Sequence, residues 1–142
     1  MNILVSACLL GVACRYDGKS KPSEGVIKLM EKHNLIPFCP EVTGGLPTPR
    51  HPSEIVGDKV VNDIGEDVTV QYKKGAEEAL RIAKMYNCQY AILKEKSPSC
   101  GKGKIHNGKF DGGYIEGDGI TAGLFIENGI KVLGESEIAN LI

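Results

Sequence analysis

The sequence lacks several features that assign chains to common protein classes. No apolar run approaches the roughly 20 residues that cross a bilayer as a helix. The 17 basic residues nearly balance the 18 acidic ones and form no basic block, which argues against nucleic acid or an anionic membrane as the main partner. The first residues lack the charged region and the cleavage site of a secretory signal. We therefore expect a cytoplasmic protein.

Cysteine is present, but not in an arrangement typical of structural use. The five cysteines are an odd number in a chain without a secretory signal, so a disulfide framework is not expected. No C-x-x-C pair occurs, and the three histidines (His33, His51 and His106) add no zinc-site spacing. Metal binding and thiol chemistry remain as uses for these side chains.

The order of apolar and amphipathic segments predicts an α/β fold. At 142 residues the chain is long enough for a single domain over 1–142 with one hydrophobic core. Strands are predicted at 3–7, 35–39, 90–94 and 130–133, and helices at 24–33, 69–87 and 119–128. Strands that alternate with helices form a mostly parallel sheet. We therefore expect a three-layer α/β/α sandwich with a Rossmann-like sheet of about four strands, in the order 2-1-3-4, plus small hairpins.

The intervals between these segments predict loops and hairpins. Residues 40–53 hold four prolines and two adjacent glycines, so neither a regular helix nor a central strand is expected there. Residues 55–67 and 104–116 predict hairpins, the second with Asn107–Gly108 as a two-residue type I′ turn. Ser136 is expected to cap a short terminal helix.

Three cysteines follow predicted strands: Cys8, Cys39 and Cys100. Ligands bind outside the carboxyl ends of parallel strands, which share one edge of the sheet, so we expect these thiols to converge. Three converging thiolates suit a metal or a reactive centre. Cys88 precedes the third strand, at the opposite edge, and is expected to be structural. Cys14 is open to three interpretations: a partly buried bystander, a fourth ligand or a resolving thiol.

Polar side chains beside these cysteines are candidates for catalysis. Glu41 lies two residues after Cys39, where a carboxylate is suited to act as a general base. The alternative is a solvated loop glutamate. Ser97 and Ser99 precede Cys100 in a turn whose hydroxyls and backbone amides can point toward an anion. The alternative there is an ordinary turn with a buried thiol.

Four ordered motifs make the chain familiar as a whole. They are SACLLG at 6–11, CRYDG at 14–18, CPE at 39–41 followed by GGLPTPR at 44–50, and SPSCG at 97–101. Together they resemble the thiouracil desulfidase family, which was long a domain family of unknown function. The resemblance covers nearly the whole chain.

The resemblance implies a cofactor and a reaction. The cofactor is a 4Fe-4S cluster held by three cysteines, which carry over to Cys8, Cys39 and Cys100, with one iron left without a protein ligand. The reaction is the non-redox removal of sulfur from 2-thiouracil, 4-thiouracil or 4-thiouridine monophosphate, giving uracil or UMP and sulfide.

Roles for other side chains follow from that reaction. Water activated by Glu41 would attack the ring carbon, while Ser97 or Ser99 would donate a hydrogen bond or relay a proton. The near-neutral charge favours a free base or a nucleotide over transfer RNA as the partner. The candidates for binding this substrate are Arg15, Thr48 and Arg50.

Two other functions stay open at this point. Three cysteines and a water would make the open site of a zinc hydrolase. With Cys14 as a fourth ligand, the chain would be a cluster-bearing electron carrier or sensor, since such clusters generally take four cysteines. A plain thiol redox protein is disfavoured, because no C-x-x-C pair exists.

Overall fold

A computed structural model describes residues 1–141, which form eight strands and four α-helices. The strands are β1 (Asn2–Ser6), β2 (Asn34–Phe38), β3 (Ser53–Val56), β4 (Lys59–Asn62), β5 (Tyr90–Leu93), β6 (Lys104–His106), β7 (Tyr114–Glu116) and β8 (Lys131–Gly134). The helices are α1 (Glu24–Lys28), α2 (Pro40–Thr43), α3 (Thr69–Met85) and α4 (Ile120–Glu127), with 3₁₀ turns at Ala7–Leu10, Leu29–Glu31 and Ala139–Leu141.

The main sheet is parallel and has the order β2-β1-β5-β8. This confirms the predicted α/β class and the predicted strand order. Ile3, Leu4 and Val5 of β1 are fully buried, because helices cover both faces of the sheet. Ile3 packs in a core that includes Val26 of α1, and Leu4 packs in a second core with residues of α3 and α4. The result is the expected three-layer sandwich.

Two antiparallel pairs lie outside the main sheet. Strands β3 and β4 form one, and β6 and β7 form the other. No helix formed by residues 1–141 combines the length and the apolar character that crossing a membrane requires.

Several local predictions were wrong in detail. The helix expected over 24–33 is α1 followed by a 3₁₀ turn, and the turn Ala139–Leu141 begins beyond the position that Ser136 would cap. Residues 40–43, predicted as loop, form the single-turn α2. Pro40 stands at its first position, where a helix does not need the missing N–H.

The segment after β6 also differs from its prediction. Asn107–Gly108 is not a two-residue turn, because residues 107–113 separate β6 from β7. The backbone amide of Gly108 instead donates to Glu54 of β3. A tertiary contact therefore decides the shape of this loop.

A close contact between α2 and α3 fixes the position of α2, the short helix that follows β2. A Cβ atom on Gly75 of α3 would lie 1.8 Å from the carbonyl oxygen of Pro40, and one on Gly44 would lie 2.0 Å from that of Gln71. Only glycine at both positions allows the two backbones to approach so closely. This contact holds Cys39 and Glu41 over the edge of the sheet.

Candidate functional site

A cavity of about 680 Å³ opens where β1, β2 and β5 end. Its floor is formed by the segments that follow these strands, and its sides by residues of the β3–β4 and β6–β7 pairs. This is the edge at which open parallel sheets bind ligands. The cavity is therefore the place to look for the predicted site.

Four cysteines line this cavity: Cys8, Cys14, Cys39 and Cys100. The structure thus brings together the three thiols that the sequence placed at strand ends. Cys14, whose main interpretation was a bystander further out, is buried and lies beside them. Cys88 packs in the core on the α3–α4 face of the sheet.

Cys14 and Cys39 interact directly. Their side chains form a hydrogen bond, and the Sγ atom of Cys39 lies 3.8 Å from the carbonyl oxygen of Cys14. The hydrogen bond from Cys14 lowers the pKa of Cys39, and the backbone amide of Val42 in α2 adds to this effect. The same hydrogen bond raises the pKa of Cys14. Cys39 is therefore the thiol that ionises most easily here.

Burial has the opposite effect on the other two thiols. It raises the pKa of Cys8 to about 11 and that of Cys100 to about 12. The Ser6 hydroxyl, by its hydrogen bond to Cys100, partly opposes the second shift. Both thiols stay protonated at neutral pH unless a metal displaces the proton, since only the thiolate is a ligand.

The donor set suits an iron–sulfur cluster better than a single ion. Within residues 1–141, no three cysteine, histidine or carboxylate side chains are grouped so that they could hold one metal ion. A cluster is wider than an ion, and thiolates spread around a cavity are the ligands that it takes. The positive charges of Lys94 and Arg15 act on Cys8 and favour its thiolate. The residues present therefore fit the implied cofactor.

Glu41 is held by two donors. The hydroxyl of Tyr72 donates to its Oε1 atom at 2.7 Å, and Nε of Arg50 donates to the same oxygen at 3.2 Å. Burial raises the pKa of Tyr72 well above its usual range, so this phenol stays a donor. Nothing among residues 1–141 bonds to Oε2 of Glu41, whose side chain is only 16% exposed. Glu41 is thus an oriented cavity carboxylate and not a solvated loop residue.

The three predicted substrate-binding residues lie in different settings. Arg50 is 6% exposed and, besides Glu41, donates to Cys14, Pro47 and Thr48, so its guanidinium ties loops together. Thr48 is not among the cavity-lining residues. Arg15 lines the cavity, is 28% exposed and lies 3.8 Å from Asp17. Arg50 also lines the cavity, but its guanidinium is bonded to the protein, so Arg15 is the more accessible of the two arginines.

The two predicted serines also differ. Oγ of Ser97 accepts the backbone amides of Ser99 and Cys100 at 3.1 and 3.0 Å, so its own proton is left to donate into the cavity that it lines. Ser99 is fully buried, does not line the cavity, and bonds to Oγ1 of Thr121 at 2.8 Å. The structure brings Ser97 to the site but not Ser99.

Some cavity residues had no signal in the sequence. Tyr72 comes from the first turn of α3. His106 ends β6, Tyr114 begins β7, and Phe110 lies in the loop between them. His106 pairs with Tyr114 across the strands, a register that a two-residue turn at 107–108 would not produce. The pairing of His106 with Tyr114 depends on the seven-residue length of the loop between β6 and β7.

Comparisons with known proteins agree over almost the whole chain. A family model described as 2-thiouracil desulfurase matches residues 3–137. A solved structure of the 4Fe-4S-dependent thiouracil desulfidase TudS is similar, with a TM-score of 0.93 and 46% identity over 99% of this chain and 94% of that chain. The uncharacterised protein YbbK of Bacillus subtilis (strain 168) is 44% identical over an alignment of 150 positions, which spans 99% of this chain and 99% of that protein.

Proposed function

Because this chain belongs to the 2-thiouracil desulfurase family, we propose that it is an iron–sulfur-dependent enzyme that removes sulfur from a thiolated uracil. One water would replace the thiocarbonyl sulfur by oxygen and one hydrogen sulfide would leave, without net electron transfer. The observation that carries the proposal is the placement of Cys8, Cys39, Cys100 and Glu41 around one cavity.

In this proposal Cys8, Cys39 and Cys100 hold the cluster and leave one iron open. When bound, such a cluster would supply a soft Lewis acid with affinity for a thiocarbonyl sulfur. The chain itself must then hold three thiolates, place the ring beside them and move protons. The hydrogen bonds from Cys14 and Ser6 support the thiolates of Cys39 and Cys100.

Glu41 is the general base of the proposed reaction. Its Oε1 is occupied by Tyr72 and Arg50, so Oε2 is the atom that takes a proton from the attacking water. Ser97, with both lone pairs of Oγ filled, is the donor. It would give its hydrogen bond to the group that becomes negative as the water adds.

The substrate is a small molecule, and the cavity has room for more than a base. The cavity volume of about 680 Å³, which the cluster shares, lies within the range of sites for drug-sized molecules. Arg15, Lys21 and Lys96 bring positive charge to its walls. We therefore include 4-thiouridine monophosphate beside the two free bases, with Arg15 as the partner of a phosphate.

The experiment that tests this function is anaerobic reconstitution followed by sulfide release from 2-thiouracil, 4-thiouracil and 4-thiouridine monophosphate, compared side by side. Sulfide and the matching oxo-pyrimidine should form in equal amounts from at least one of them. A fully loaded protein that releases sulfide from none of the three would overturn the proposal.

A second candidate has one observation in its favour. Cys14 lines the cavity beside Cys39, so a four-cysteine cluster of an electron carrier or sensor is the alternative. That function would leave no open iron for a substrate. It requires Cys14 to be as important for iron binding as Cys39.

The two serines of the SPSCG motif should behave differently. We expect Ser97→Ala to lower kcat about 100-fold, the lower end of the range for a lost proton-transfer group. Ser99→Ala should keep kcat within about twofold and lower the free energy of unfolding by about 1 kcal/mol, because Thr121 loses its buried partner. Kinetics, iron content and denaturant unfolding measure this. Equal losses of kcat in both variants would contradict the assignment.

Tyr72 should act as a positioning residue for Glu41. Tyr72→Phe removes one of the two donors on Oε1, and we expect kcat to fall about tenfold at unchanged iron content, in line with the value of a hydrogen bond to a charged group. Tyr90→Phe is the matched control, since Tyr90 begins β5 at the opposite edge of the sheet. A wild-type rate in Tyr72→Phe would show that Arg50 alone suffices.

A further inference from the structure

One wall of the cavity has no part in the chemistry described above. His106, Phe110 and Tyr114 line it, and we call these three residues the aromatic wall. The rings of His106 and Tyr114 lie with centroids 4.9 Å apart at an angle of 41°. The Nζ atom of Lys96 lies over the ring of Tyr114, 5.0 Å from its centroid. The two rings are tilted against each other, and aromatic side chains beside a cavity are suited to pack against a flat heterocycle.

The aromatic wall is held in place by the neighbouring β3. Glu54 is 7% exposed, and its Oε1 atom accepts the backbone amides of Gly108 and Phe110 at 2.9 and 3.2 Å. Gly108 has φ +85°, and a Cβ there would lie 2.6 Å from the carbonyl oxygen of Ile55. The loop is therefore fixed against β3, and the wall is formed before any ligand arrives.

The imidazole of His106 carries an unusual atom. Its Nδ1 is buried without a hydrogen-bond partner, the one such side-chain nitrogen or oxygen found in residues 1–141. A buried N–H without an acceptor is costly, and such orphaned donors are rarer in proteins than unfilled acceptors. The proton of the neutral ring therefore belongs on Nε2. This atom has no partner within the described part of the chain, so an N–H donor is left for a ligand.

We propose that the aromatic wall recognises the pyrimidine, with Nε2–H of His106 donating to the carbonyl oxygen that remains on the thiouracil ring. This inference rests on the proposed function and names the residue that selects its substrate class. In 2-thiouracil the sulfur is on C2 and the oxygen on C4, and in 4-thiouracil the two are exchanged. In both bases, therefore, the carbonyl and the thiocarbonyl flank N3. If the ring of one base binds flipped relative to the other, one fixed donor can therefore bond to the carbonyl of either base.

The test pairs a substrate change with a residue change. His106→Phe keeps a ring beside Tyr114 but removes the donor, and His106→Gln restores an amide donor near the position of Nε2. Pyrimidine-4-thione keeps the thiocarbonyl of 4-thiouracil but lacks its carbonyl, at C2. For 4-thiouracil we expect His106→Phe to raise KM about tenfold with kcat nearly unchanged, because this hydrogen bond is equal in the ground and transition states.

The two controls make the result specific. His106→Gln should recover most of the KM for 4-thiouracil, and pyrimidine-4-thione should react alike with the wild type and with His106→Phe. An unchanged KM for 4-thiouracil in His106→Phe would overturn the inference. An equal loss with both substrates would also overturn it, because the donor would not then be reading the carbonyl.

A binding measurement separates this inference from the proposed function. Uracil keeps the carbonyl and has no sulfur, so its affinity for the loaded protein, measured by titration calorimetry, should fall about tenfold in His106→Phe. If the wild type releases no sulfide yet binds uracil through His106, the proposed function fails and the inference stands. If sulfide is released but His106→Phe binds uracil as tightly as the wild type does, the inference alone fails.

A readout on the unaltered chain covers the case in which a variant does not fold. Nitrogen-15 NMR of the three histidine rings should show His106 with its proton on Nε2 and a shift that moves when uracil is added. A proton on Nδ1, or a His106 signal that uracil leaves unchanged, would contradict the inference.

Discussion

Cys39→Ala is expected to lose most of its iron and to lower desulfidation by well over 100-fold after anaerobic reconstitution. Alanine offers no donor to iron, and even the loss of a supporting outer partner costs a metal site about 10–100-fold. Iron and acid-labile sulfide per chain, the visible absorption spectrum and sulfide release measure the effect. Cys8→Ala and Cys100→Ala should behave in the same way.

The chain offers matched controls for this prediction. Cys88→Ala removes a thiol from the core on the α3–α4 face and should keep iron and activity. Cys14→Ala removes the hydrogen bond to Cys39 and should stay loaded at saturating iron, with an affinity loss within about 10–100-fold. If Cys14→Ala lost its iron as completely as Cys39→Ala, the four-cysteine carrier would replace the desulfidase.

Glu41→Gln is expected to keep the cluster and lower kcat by about 10²- to 10⁴-fold, the range for a general base. The amide oxygen of glutamine still accepts from Tyr72 and Arg50, so the local structure should persist, but the amide cannot take a proton from water. Turnover at matched iron content is the measurement. Glu77→Gln, on an exposed part of α3, is the control. Full activity in Glu41→Gln would remove this residue from the mechanism.

The fold was predictable because its dominant signals are local. Two short apolar segments joined by one helix, β1 and β2, predict a parallel pair, and the later strands extend the same sheet. The convergence of Cys8, Cys39 and Cys100 followed from that topology, because each cysteine comes after a strand that ends at the same edge.

The remaining features depend on contacts between distant residues. Ser97 and Ser99 stand in one motif, yet Thr121 of α4 binds the second and leaves the first to the cavity. The sequence predicts Arg50 as a substrate-binding residue, yet its guanidinium donates to Glu41 and Cys14. No spacing along the chain reveals such partners. Glu54 decides the path of the 107–113 loop in the same way.

The most direct measurement follows the oxygen atom. Loaded protein is incubated anaerobically with 4-thiouracil in water enriched in oxygen-18, without any reductant, and the product is analysed by mass spectrometry. If the thiols hold a cofactor that accepts sulfur while Glu41 delivers water, each uracil should carry one heavy oxygen and appear with one sulfide. Product without the heavy atom, or sulfide that forms only when electrons are supplied, would contradict hydrolysis at this site.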